Sequence, residues 1–156
     1  MVVELRIEGA DKFGALAKRL KQAGDKDLRK ELYRGITRAV KPLTKDVKDS
    51  TTKFLPKRYA LELAKSLRVR SRRRAGNNPA IYLVGSAKTP RGKDRDLASL
   101  NRGRLRHPLY GNRGYWFDQD VDPNWWDDPL LEGADAVREE IVNVIDDIGA
   151  RLTKNL

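Results

Sequence analysis

The chain has 156 residues, 39% hydrophobic and 35% charged, and its 33 Lys and Arg outweigh 22 Asp and Glu to leave a formal charge of +11. That length suits one domain with a modest core, and the charge favours an anionic partner, either nucleic acid or an acidic protein surface. The absence of cysteine excludes a disulfide framework and a thiolate metal site, no stretch nears the roughly 18 apolar residues of a membrane span, and MVVELRIEGADKF lacks the pattern of a secretory signal.

Val2 to Glu8 alternates, with Val3, Leu5 and Ile7 on one side, and predicts a short strand. Asp11 is a candidate N-cap for a helix carrying Phe13, Leu16, Ala17 and Leu20. Gly24 ends that helix and Asp25 caps the next. Leu28, Leu32, Ile36, Ala39 or Val40, Leu43 and Val47 then mark a long helix. Pro42 removes one backbone donor inside it, which predicts a kink or a break. The helix ends before Pro56. A shorter one follows over 57–66, with Leu61, Leu63, Ala64 and Leu67 as its apolar side.

The period changes at Leu67, where Leu67, Val69 and Ser71 alternate with Arg68, Arg70 and Arg72. Ala75 to Pro79 reads as a turn and AIYLVG (80–85) as an apolar strand, so 67–85 forms a hairpin. Residues 86–100 read as a polar, basic loop. RGRLRHPLYGNRGYWFDQ (102–119) follows as a shaped connector, with Tyr115 to Val121 as a third strand. Gly103, Gly111 and Gly114 allow tight turns in it, Pro108 restricts His107, and Tyr110 and Trp116 pin it to the body. Asp122 to Asn124 makes a turn. Asp128 caps a last helix over about 129–153, with Pro129 in its first position and an apolar stripe from Leu130 to Leu152. The fold class is α+β: long N-terminal and C-terminal amphipathic helices packed on a small, mostly antiparallel sheet, with extended basic loops, in a single domain over 1–156.

Charge is segregated along the chain. Residues 57–106 hold fifteen bases and three acids, net +12, whereas 115–147 hold one base and eleven acids, net −10. Such a chain suits head-to-tail contact between copies, basic face to acidic face. Neutralisation within one subunit explains the same pattern.

His107 is the single histidine. As a general base it would need a nucleophile or an orienting carboxylate, and no GxSxG, HExxH, P-loop or GxGxxG accompanies it. It reads as a structural or interface residue, and the chain as no enzyme. The pairs Asp127-Asp128, Glu139-Glu140 and Asp146-Asp147 invite a divalent ion, but neighbours on a helix diverge. They read as a helix cap and solvated faces, with no metal or other cofactor implied. Arg68, Arg70, Arg72, Arg73 and Arg74, with Lys88, Arg91, Lys93 and Arg95 in the loop, are the candidate partner- or DNA-facing cations. On a strand and turn they suit phosphates without sequence readout, an acidic neighbour, or simple solvation. Arg106, His107, Pro108, Gly111, Arg113, Trp116, Trp125 and Trp126 form the candidate structural or interface set. Trp116 is assigned to folding; the Trp125-Trp126 pair suits either the core or a subunit contact.

In order and motif the chain resembles the tail-completion, or head–tail joining, family of long-tailed double-stranded DNA phages. The shared features are the early helix from Phe13 to Leu20, then Ala39, Pro42 and Leu43, then Leu55-Pro56 before Leu63 to Leu67. The basic hairpin follows, then Arg106-His107-Pro108-Leu109-Tyr110-Gly111-Asn112-Arg113, with Trp116, Gln119 and Pro123 ahead of a long C-terminal helix. The RHPxxGNR…W..Q block carries most of the specificity. Arg58-Tyr59 and Asn124-Trp125-Trp126 stand where the family tends to have glycine and phenylalanines, which implies an altered local interface. The resemblance implies a non-enzymatic structural protein of the virion neck, assembled in the host cytoplasm and resident at the head–tail junction. Its partners would be itself in a sixfold ring, neighbouring neck, tail-terminator and tail-tube-end proteins, and packaged double-stranded DNA by proximity, with no membrane. The competing reading is a free basic protein that binds nucleic acid without sequence specificity.

Overall fold

The structure is a computed structural model, and it describes residues 2–3, 10–74 and 80–155. In chain order these form β1 (Val2–Val3), α1 (Ala10–Ala23), α2 (Lys26–Phe54), α3 (Lys57–Ser66), β2 (Arg68–Arg74), β3 (Ala80–Ser86), α4 (Leu97–Asn101), β4 (Arg104–Leu109), β5 (Asn112–Asp120) and α5 (Asp127–Lys154). The class is α+β. The rest of the expected first strand, with Leu5 and Ile7, and the turn at 75–79 lie outside the described residues.

The body is a pair of long helices laid against a small sheet. α2 and α5 run antiparallel: Arg151 near the end of α5 pairs with Glu31 near the start of α2, while the Ser50 hydroxyl late in α2 donates to the Trp125 carbonyl just before α5. Their facing stripes, Leu32, Ile36, Leu43 and Val47 against Val137, Ile141, Ile145 and Ile148, are all buried. This spacing of three and four puts every apolar side chain on one face. The sheet has the order β1-β3-β2 and is antiparallel throughout, with Val69 opposite Gly85 and Ser71 opposite Leu83. β3 is the apolar central strand; Ile81 and Leu83 join the core with Phe13, Leu16 and Leu20 of α1.

Several expectations need correction. Asp11 sits inside the first turn of α1, which begins at Ala10. Asp25 does cap α2, its carboxylate accepting the Leu28 N–H at 3.0 Å. α2 runs unbroken through Pro42. The ring lies on the exposed side while Ala39, Val40 and Leu43 beside it are buried, so packing holds the helix across the missing hydrogen bond. In α3 Leu63 is buried as expected, with Leu67 just after it, but Ala60 takes the inward place given to Leu61, which is 51% exposed. The loop after β3 is ordered by α4, whose Leu97 and Leu100 are buried and whose N-cap is Asp96.

The stretch read as a connector is a separate two-stranded hairpin. β4 and β5 pair from Arg104 opposite Asp120 to Pro108 opposite Trp116, and then Leu109 opposite Asn112. Tyr110 and Gly111 form the two-residue turn with φ of 48° and 78°, the backbone of a type I′ turn that follows the strand twist. Glycine meets that demand freely at the second position. Arg113 to Tyr115 bulge out of the pairing. The β5 strand thus starts at Asn112 and pairs with β4, not with the three-stranded sheet.

α5 also starts earlier than expected. Trp126 occupies the N-cap position without a side-chain cap bond, and Asp127 and Asp128 lie in the first turn. The reason is local: the Asp128 N–H is taken by the Asn124 carbonyl at 3.0 Å, and Asp127 is held by Asn101. Trp125 and Trp126 are both fully buried, ring to ring at 5.7 Å and nearly perpendicular. The Trp126 ring lies so close to Gly85 of β3 that a Cβ there would meet it at 2.5 Å.

Candidate functional site

The chemistry-bearing residues fall into three places. The first is the β4–β5 arm, where only Leu105 near its base is buried. Towards the tip Tyr110 is 98% exposed, and Leu109, Tyr115, Trp116 and Phe117 are exposed as well. Trp116 and Tyr110 therefore face outward and do not pin the segment to the body. The Trp116 indole N–H donates to the Arg113 carbonyl at 3.1 Å, and the Arg106 guanidinium lies over its ring at 5.7 Å. Gly114 donates to the Asn112 side chain at 2.9 Å, fixing the bulge. These contacts set the aromatic tip in one shape without covering it.

His107 belongs to this arm. Its Nδ1 lies 3.2 Å from the Pro108 carbonyl and its ring meets Phe117 edge-on at 5.9 Å. It has neither a nucleophile nor a carboxylate partner among the described residues, and no cluster of metal-ligating side chains occurs among them.

The second place is the groove between α2 and β2, about 740 Å³ in volume. β2 is an edge strand, so its backbone faces solvent on one side. Arg70 and Arg73 reach the groove from β2, and Arg34, Arg38 and Lys41 from α2. No carboxylate lines it, while Thr37, Thr44 and Ser71 supply hydroxyls. Arg73 is partly spent on the body: its guanidinium stacks on Tyr33 at 4.4 Å and donates to the Tyr33 carbonyl at 3.0 Å. Arg74 lies over Tyr82 at 5.3 Å. Arg68, Arg70 and Arg72 are exposed, between the half-buried Val69 and Ser71.

The third place is the loop before α4, and the structure splits its four cations. Lys88 pairs with Asp94 at 2.6 Å, and Arg91 and Lys93 are exposed. Arg95 turns inward and is corrected from partner-facing to structural. Its side chain is 11% exposed, stacks on Tyr59 at 4.9 Å, approaches Glu62 at 3.7 Å and donates to the Lys88 carbonyl at 3.2 Å. Beside it, the Ser99 N–H and hydroxyl hold the Asp96 carboxyl below the usual carboxylate range.

Asn101 is the residue sequence reasoning missed. It is buried, its Oδ1 accepts the Trp126 N–H at 3.0 Å, and its Nδ2 donates to Asp127 at 2.7 Å. Its own carbonyl accepts the Asn124 N–H at 2.8 Å. It thereby locks the tryptophan turn to α4, the element that carries the arm. Trp125 and Trp126 are core residues in this fold, although their indole N–H groups find no acceptor among the described residues. The α2 and β2 cations Arg34, Arg38, Lys41, Arg70 and Arg73 converge only in three dimensions; the 3.6-residue period of α2 is the signal that would have found the first three.

In comparisons with known proteins, no family model, curated protein or solved structure matches this chain.

Proposed function

We propose that this is a structural protein of a phage neck, forming a ring that joins the DNA-filled head to the tail. The observation that carries the reading is the arm. The RHPLYGNR…W..Q block, on which the family resemblance rests, is the segment that leaves its aromatic residues uncovered. An exposed apolar cluster on a hairpin marks a place for a protein partner. Its neighbours would be further copies, other neck proteins, and the tail terminator or tube end. The ring reading requires no catalytic residues.

The test is genetic and structural. Removing the gene should leave filled heads and complete tails that do not join, seen by negative-stain microscopy, and wild-type protein supplied from a plasmid should restore joining. Normal joined virions without the gene would defeat the reading.

A second reading has its own observation. The α2–β2 groove gathers five cations and no carboxylate, which suits a phosphate backbone bound without sequence readout. A free nucleic-acid-binding protein would hold duplex DNA in isolation with affinity falling steeply with salt, and its loss would leave virion assembly intact.

A further inference from the structure

The outer faces of the two long helices carry opposite charge. On α2, Lys30, Arg34, Arg38, Lys41 and Lys45 recur every three or four residues, and all are exposed. They form one stripe about 22 Å long, opposite the buried Leu32, Ile36, Leu43 and Val47. On α5, Glu132, Asp135 and Glu139 keep the same spacing, Asp146 follows on that face two turns later, and all four are exposed. Their stripe is about 21 Å long and lies opposite Val137, Ile141, Ile145 and Ile148. The two stripes match in length and oppose in sign.

They do not neutralise each other within one chain, because α2 and α5 meet through their apolar faces and turn these stripes outward. Arg34 and Arg38 border a groove along the seam with Glu140 and Asp147, yet form no ion pair with either. On these two helices Lys45 pairs with Asp49, Asp135 with Arg138, and Arg151 with Asp147 and, across the seam, with Glu31. Arg34, Arg38, Lys41, Glu132, Glu139 and Asp146 have no ion-pair partner among the described residues. A lone subunit therefore presents a basic helix face on one flank and an acidic helix face on the other. Those surfaces differ, so contact between them is head-to-tail, the type that closes into a ring when the rotation allows.

We propose that the acidic outer stripe of α5 docks on the basic outer stripe of α2 in the next copy of this chain, giving a palisade of alternating α2 and α5 helices. This rests on the ring reading and assigns its subunit interface. The basic side of the contact is then the α2 stripe, outside the basic 57–106 segment that the sequence pointed to. The Arg70 and Arg73 groove adjoins that stripe and extends the positive side. Complementary charge steers such a contact and sets its register, and salt weakens it.

The test uses the full chain and two charge-reversed variants. One carries Arg34→Glu, Arg38→Glu and Lys41→Glu; the other carries Glu132→Lys, Asp135→Lys and Glu139→Lys. All six side chains are exposed, so circular dichroism should match the wild type. If the first set impairs folding, Arg34→Gln, Arg38→Gln and Lys41→Gln takes its place. Sedimentation velocity over a concentration series at low salt should show wild-type self-association, weakened by about tenfold or more in each variant alone. An equal mixture of the two reversed variants should associate again, because every interface in an alternating ring then pairs opposite charges.

A wild-type chain that stays monomeric at every concentration would overturn the proposal, as would variants that associate like the wild type, or a mixture that does not recover. So would loss of duplex DNA binding in the α2 variant with self-association unchanged, which would assign the stripe to nucleic acid. The gene-removal experiment decides the neck reading independently: joined virions without the gene defeat that reading, whereas unchanged association defeats only this interface.

Discussion

At the residue scale, close packing fixes what each position tolerates. Gly85 is in β3 because the Trp126 ring occupies the space a side chain would need, 2.5 Å from where a methyl carbon would sit. The obstacle is a rigid, fully buried ring. Gly85→Ala should therefore destabilise the fold by about 1–3 kcal/mol, measured as a lower urea midpoint with unchanged slope. Asp96 makes a different demand. Its carboxylate caps α4 through Ser99, and those hydrogen bonds lower its pKa. A depressed folded-state value gives stability that is present above the unfolded value, near 4, and lost as pH falls through the folded one. Asp96→Ala should cost about 1 kcal/mol at pH 7. The gap to wild type should narrow as pH falls below the unfolded value, and thermal melts across that range would read it. A gap that stays constant with pH would rule out the charged cap.

At the element scale, periodic segments are readable in the sequence and short or unsupported ones are not. α2 announces itself through Leu28, Leu32, Ile36 and Leu43, because a long helix buried on one face needs that spacing. The β2–β3 hairpin is equally plain from the switch to alternation at Val69 and Ser71. α4 has only five residues, too few to display a period. The start of β5 at Asn112-Arg113-Gly114 hides for a related reason: it packs on nothing, so no apolar alternation is imposed. The structural roles of Arg95 and Asn101 are invisible locally because their partners are distant in sequence, Tyr59 for one and Trp126 for the other. Pro42 misleads in the opposite way: the missing donor argues for a kink or a break, and packing overrides the break. Its substitution by alanine restores an N–H to an already continuous helix. Pro42→Ala should stabilise the protein by about 1–3 kcal/mol, seen as a raised urea midpoint; a loss of stability would mean the ring itself fills a needed contact.

At the scale of the whole molecule, stability and partner contact reside in separate regions. The core joins α1, α2, α3, β3, α4 and α5 with the buried Trp125 and Trp126, while the arm contributes little beyond Leu105. Trp116→Ala with Phe117→Ala should leave folding stability within about 0.5 kcal/mol of wild type, measured by urea unfolding. The same variant should fail to restore head–tail joining when it replaces the wild-type gene. Normal joining by this variant would remove the arm from the interface and leave the neck reading to other surfaces.

The antiparallel pairing of α2 with α5 has a further consequence for how the chain is made. The partner that covers Glu31 is Arg151, 120 positions later. At roughly 5–20 residues per second, the apolar face of α2 waits on the order of ten seconds for α5 to be synthesised. During that interval the nascent chain exposes an uncovered hydrophobic stripe beside a strongly basic one.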